Sequence, residues 1–330
     1  MPWKYLKVTA EEMKALADAA LLAALAMGSV LGASALAQAS WPRRSPAAAI
    51  LLWQALGLAG GLAAVGTLVS LGLPGDHLGV AHSLLHLGTV WPRAAFRFPV
   101  ASGLVNALPA LLLAFRMTCL AAGLALLASL CWVLIAASAA ALQARRRQRT
   151  LLALLAHGDP KVPGALVVDY PTAAAYCLPG LRSRIVVLSV GTLELLGRGE
   201  LAAVLAHERA HLRERHDLVL LPFTALRRAF PHSATCAEAH GAVALLVEML
   251  ADDRALRGRP ARELVSALVR FGTAGTYPAP AGALAVGEGD MAARVARLLL
   301  PVRPLPAAAS AAVCLTAGLL VAATVALLIV

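Results

Sequence analysis

Four runs of this sequence, Ala15–Ala39, Ala47–Leu73, Thr118–Leu142 and Ala307–Val330, are long and almost free of charge. About 20 apolar residues in a helix cross the hydrocarbon core of a bilayer, so each run is long enough to span. A span must satisfy its backbone hydrogen bonds internally, which makes these runs helices. The expected architecture is a mainly α integral membrane protein with four transmembrane helices. Composition agrees: 60% of the 330 residues are hydrophobic and only 14% are charged, against about 25% charged in soluble domains. Lys and Arg exceed Asp and Glu by 11 (29 − 18). The arginines flank apolar runs and do not interleave with aromatics, which fits membrane anchoring and not direct nucleic-acid binding.

Arginines also set the expected orientation. Arg43 and Arg44 lie between the first two runs, and Arg145, Arg146, Arg147 and Arg149 follow the third. Three spans before a soluble segment put both groups on one side, taken as the cytoplasm. Lys4, Lys7, Lys14, Arg93 and Arg97 oppose this, and the dense run after the third span outweighs them. Glu11, Glu12 and Asp18 argue against a cleaved leader. The expected domains are 1–148 with three spans, a cytoplasmic domain over 149–306, and a fourth span over 307–330, in a multi-pass plasma-membrane protein.

Within that soluble segment stands His207-Glu208-Arg209-Ala210-His211. On a helix the i, i+4 spacing stacks His207 and His211 on one face, one turn apart. Two imidazoles so placed suit one Zn²⁺ ion, and Glu208 beside them is placed to act on the attacking water. Arg198–Ala206 is a good helix former leading into the motif. A third ligand is expected at Glu248, a carboxylate within the apolar helical run Ala242–Arg254, where burial without a cation is costly. Asp252, four residues later, shares its face and suits the far nitrogen of a ligand histidine. Residues 198–217 carry eight charged side chains (Arg198, Glu200, Glu208, Arg209, Arg213, Glu214, Arg215, Asp217), which excludes a lipid-facing span. The chemistry expected is metalloendopeptidase: His207, His211 and Glu248 as ligands and Glu208 as general base, then acid.

Oxyanion or substrate contacts are expected from among His232, His240, Tyr277 and Arg294. His216-Asp217 ends the motif helix, where a histidine suits the helix C-terminus. His82 and His86, with His77 nearby, fit an interfacial loop helix better than a metal site. Cys119, Cys131, Cys177, Cys236 and Cys314 form no disulfide framework. Strands are expected at Gly164–Tyr170, Arg184–Val190 and Ala174–Leu178, and helices at Thr192–Leu196, Arg198–Arg215 and Thr235–Arg257. A strand edge beside the motif helix suits an extended peptide.

The run His207–Asp217, of the form H-E-x-x-H-x-x-x-x-H-D, followed by E-x-x-A-D at Glu248–Asp252, resembles the gluzincin membrane proteases that include HtpX and the CAAX prenyl proteases. Arg227–His232 (RRAFPH), Leu246–Leu256 (LVEMLADDRAL) and Trp41–Gln54 (WPRRSPAAAILLWQ) are more similar to BlaR/MecR-type membrane metallopeptidases, in the compact actinobacterial form without a sensor domain. The resemblance implies an α+β gluzincin-type domain facing the cytoplasm. It implies His207, His211 and Glu248 as zinc ligands, Glu208 as base, and Asp252 behind a ligand. Arg294 loosely matches an arginine late in the prenyl proteases, whose late S/T-H-P motif is absent. The chain stops at the fourth span, so no β-lactam-binding domain is expected. The implied partners are membrane lipid and a protein substrate, a BlaI-like repressor in the cytoplasm. An HtpX-like quality-control protease and a signalling scaffold with a structural zinc are the alternatives.

Overall fold

A computed structural model of the chain describes residues 10–73, 107–180, 184–274, 288–300 and 303–329. His77, His82, His86, Arg93, Arg97, Tyr277, Lys4 and Lys7 lie outside them. The helices in chain order are α1 (Ala10–Gln38), α2 (Pro46–Gly72), α3 (Ala107–Leu155), α4 (Val190–Leu195) and α5 (Arg198–Glu214). They continue with α6 (His216–Ala229), α7 (Ala234–Ala255), α8 (Ala261–Ala274), α9 (Glu288–Leu299) and α10 (Ala307–Ile329). Strands β1 (Ala156–Gly158), β2 (Ala165–Val168), β3 (Ala175–Leu178) and β4 (Ile185–Ser189) fall between α3 and α4.

Five described helices have the length and composition to cross a membrane, over 13–38, 46–72, 110–155, 234–255 and 307–329. Four of them cover the four apolar runs. The fifth is α7, the helix of Glu248 and Asp252, which the sequence assigns to the soluble segment. The third apolar run lies inside a longer helix: α3 carries on through the arginines to Leu155, because Arg, Gln and Leu all favour helix.

The chain divides into two compact units. The first holds residues 1–38, 51–132 and 311–330. Val65, Val69 and Leu73 of α2 and its end pack with Leu120 of α3. Backbones approach closely here, for a Cβ on Gly72 would lie 2.6 Å from the Leu120 nitrogen. Small residues allow such approach between apolar helices.

The second unit holds 39–50 and 133–310. Its sheet runs β1-β2-β4-β3, with β2 and β4 parallel and both outer pairs antiparallel. Strand periodicity divides the faces. Ala165, Val167, Val186 and Leu188 point to one side and pack with Leu205 and Leu212 of α5. Val187 points to the other and packs with Leu152 and Leu178. The three expected strands form, β2 and β4 shorter at both ends and β3 by one residue at its start; β1 is too short and polar to signal itself. Helices α6, α8 and α9 are additional to the expected elements. Leu264 and Leu268 of α8 pack with Ala203 of α5 and with Met291, Val295 and Leu298 of α9, so α8 lies against the motif helix while α9 lies against α8 and α7.

Gly191, just after β4, tolerates no side chain. A Cβ there would sit 2.0 Å from the Pro171 carbonyl oxygen, a backbone atom that cannot swing away. Gly191→Ala is therefore expected to destabilise this unit by about 1–3 kcal/mol, read in thermal unfolding of the purified chain. An unchanged midpoint would contradict that packing.

Candidate active site

Helix α5 positions the motif. Glu200 accepts the Gly197 amide at 2.8 Å and so secures the helix start. Its apolar stripe, Ala203, Val204, Leu205 and Leu212, is buried, and the same burial takes in His207 and His211. The helix stops at Arg215, whose φ of 54° and ψ of 44° are left-handed. A non-glycine residue there costs about 1 kcal/mol or more. The turn has a consequence: His216 opens α6 at once and folds back behind His211.

The structure brings His207, His211, Glu248, Asp252 and Arg294 together. His207 Nε2 lies 3.0 Å from His211 Nε2 and 3.3 Å from Glu248 Oε2. His211 Nε2 lies 3.4 Å from Glu248 Oε1. Ligand atoms bound at about 2.0–2.1 Å around a tetrahedral Zn²⁺ stand about 3.3–3.4 Å apart. The three groups therefore fit one shared ion. The three side chains converge on one point, and each can offer a lone pair there once His207 gives up its proton, which is the chemistry of a ligand set.

The far nitrogens are held as well. His207 Nδ1 is 2.9 Å from Asp252 Oδ1. His211 Nδ1 is 2.9 Å from His216 Nδ1, and His216 Nε2 is 3.5 Å from Glu214 Oε2. This pattern is satisfied when His211 donates from Nδ1 to His216, leaving its Nε2 lone pair for the centre. Arg294, only 3% exposed, donates from Nε and Nη2 to both Asp252 oxygens at 2.8 and 2.6 Å. Its Nη1 is 2.9 Å from Glu248 Oε2. Arg294 thus clamps two carboxylates and does not stand free as an oxyanion donor. His232 is exposed, and His240 is half-buried with its Nδ1 3.4 Å from Arg227 Nη1. Neither contacts the ligand group among the described residues. His216 is 1% exposed; its place behind a ligand was hidden because only the left-handed Arg215 brings it there.

Electrostatics follow from burial and these pairs. Burial disfavours the His207 imidazolium, but Asp252 and Glu248 outweigh it and push its pKa up to about 9. Burial pulls His211 down to about 3, with His207, His216 and Arg294 adding to the effect against Glu248. Burial, with Glu248, raises the Glu208 carboxyl above its ordinary range, while His207, Cys177 and Arg294 oppose. Cys177 lies on β3, and its thiol is pushed far up by burial, with the Glu208 and Glu248 carboxylates adding to the effect. It is a protonated neighbour of the base and not a ligand.

One geometric unit now holds two imidazoles, a carboxylate, a general-base candidate and their supports. Residues 141–252 match the family model described as Peptidase family M48. The chain carries a metalloendopeptidase domain, a hydrolase of peptide bonds. The M48 match spans about a third of the chain, takes in all four strands, α5 and Glu248, and ends on Asp252. Arg294 lies beyond it. No curated protein and no solved structure matches the chain.

With a pKa of about 9, His207 is protonated at pH 7 in the metal-free protein; His211, at about 3, is neutral. An ion binds neutral imidazole, so binding at pH 7 releases about one proton and affinity rises about tenfold per pH unit until about pH 9. Calorimetric titration of the metal-depleted chain in buffers of different ionisation enthalpy reads the proton count. No release at pH 7 would contradict the pairing of His207 with Asp252 and Glu248.

Proposed function

We propose that the chain is a multi-pass membrane zinc endopeptidase whose site domain faces the cytoplasm and cleaves a regulatory protein there, such as a BlaI-like transcriptional repressor. The observation that carries the reading is the convergence of His207, His211 and Glu248 at 3.0–3.4 Å beside Glu208. Four apolar helices outside the site helices support membrane anchoring. The arginines after the third run support a cytoplasmic site. The motifs at 41–54, 227–232 and 246–256 support the BlaR/MecR type.

His207 and His211, through Nε2, and Glu248 would hold the ion. When bound, Zn²⁺ supplies Lewis acidity toward the scissile carbonyl and the attacking water. The protein supplies the rest. Glu208 accepts a proton from that water and delivers it to the leaving amine; its raised pKa brings it nearer neutral pH, where acid–base exchange is most efficient. Asp252 and His216 fix the two imidazoles so that each Nε2 faces the centre. Arg294 holds Glu248 and Asp252 in register. Strand β3 is a sheet edge and packs against α5, the helix that carries the base. An extended substrate adding to that edge would bring a peptide bond past Glu208.

A proteome-wide survey of new protein N-termini tests this, in cells carrying wild type or Glu208→Gln. One or two Glu208-dependent cuts in a cytoplasmic DNA-binding protein are expected. Many cuts among membrane proteins would replace this reading with an HtpX-like quality-control protease. Identical N-termini under cell-wall stress would overturn the regulatory role.

A further inference from the structure

Away from the ligands, the second unit holds a cavity of about 480 Å³ ringed by Arg209, Arg213, Arg254, Arg257 and Arg259, with Glu214. It lies on a different stripe of α5. Ala206, Arg209 and Arg213 recur at helical spacing on one side, while His207 and His211 occupy another. The remaining wall comes from the end of α7 and the turn after it. Gly258, with a left-handed φ of 77°, turns the chain there, and Arg257 and Arg259 flank it.

Five guanidinium groups face one carboxylate. That carboxylate is already engaged, because Arg254 pairs with Glu214. Arg209 donates to the Pro163 carbonyl at 3.3 Å. Arg213, Arg257 and Arg259 are exposed and make no side-chain hydrogen bond or ion pair among the described residues. Like charges gathered around a concavity repel one another and focus a positive potential into it. Guanidinium forks match the oxygens of a phosphate bidentately. The charges converge on one cavity and do not form a line, which favours a compact, multiply charged group over an extended acidic peptide. The geometry points to a binding site here for a phosphate-bearing group, either a lipid headgroup or a soluble phosphate compound. Glu214 of the cavity lies 3.5 Å from His216 Nε2, and His216 in turn stands behind His211.

Calorimetric titration of the purified full chain in detergent at low ionic strength tests the site. The probes are sodium pyrophosphate, monomeric dihexanoyl phosphatidic acid and, as the acidic-peptide control, hexaglutamate. Saturable binding of a phosphate probe is expected, weakened about tenfold or more in the double variant Arg257→Gln, Arg259→Gln. Both residues are exposed and outside the catalytic group, so proteolysis and thermal unfolding of this variant should match wild type. Arg213→Gln on α5 provides an independent variant with the same expected loss. Tighter binding of phosphatidic acid identifies a lipid headgroup, and tighter binding of pyrophosphate a soluble ligand. The proposal is overturned if neither phosphate probe saturates, if both variants bind as wild type does, or if hexaglutamate binds more tightly than either.

Discussion

Glu208→Gln is expected to lower peptide-bond cleavage about 10³-fold while leaving metal content and unfolding temperature unchanged. Glutamine preserves the volume and the hydrogen-bonding reach of the side chain but cannot take a proton from water. Glutamine is neutral, so it adds no desolvation cost where burial already disfavours the carboxylate, and the fold need not adjust. Glu208 is also none of the three groups that converge for the ion, so metal retention should be unaffected. The loss should appear in kcat, since proton transfer belongs to the transition state and not to substrate binding. Digestion of fluorescein-labelled casein by the purified full chain measures it. A variant within tenfold of wild type would remove Glu208 from the mechanism.

The largest stability effect is expected at Arg294. Arg294→Leu leaves the Glu248 and Asp252 carboxylates buried without their shared guanidinium. Breaking such a buried pair costs about 3–5 kcal/mol. The loss should be greatest in the metal-free protein, because a bound cation offsets part of the stranded charge. Arg294→Lys should recover only part of it, since an ammonium cannot donate to both Asp252 oxygens while reaching Glu248. Thermal unfolding of the metal-free and metal-loaded chain separates these cases. A loss under about 1 kcal/mol in the metal-free Arg294→Leu protein would show that the two carboxylates do not depend on this residue.

Much of the site was legible because its signals are local. His207 and His211 announce themselves by helical spacing, and Glu248 and Asp252 by carboxylates one turn apart in an apolar run. Strands β2, β3 and β4 were legible from β-branched runs bounded by Pro and Gly. What escaped is long-range or conformational. The Arg294–Asp252 contact joins residues 42 apart and rests on the packing of α9 against α7 and α8. His216 reaches His211 only because Arg215 is left-handed, and an arginine at such a position gives none of the warning that glycine does. The extent of α3 was underestimated because a run of arginines ends an apolar stretch without ending a helix.

The metal centre is tested most simply by the metal content of the purified chain, wild type beside Glu248→Ala, after reconstitution with Zn²⁺ and removal of excess. About one zinc per wild-type chain and little in the variant is expected, because two imidazoles alone leave an open catalytic site short of its third ligand. A wild-type chain that retains no zinc, or a Glu248→Ala chain that retains a full equivalent, would contradict the assignment of His207, His211 and Glu248 as the metal centre.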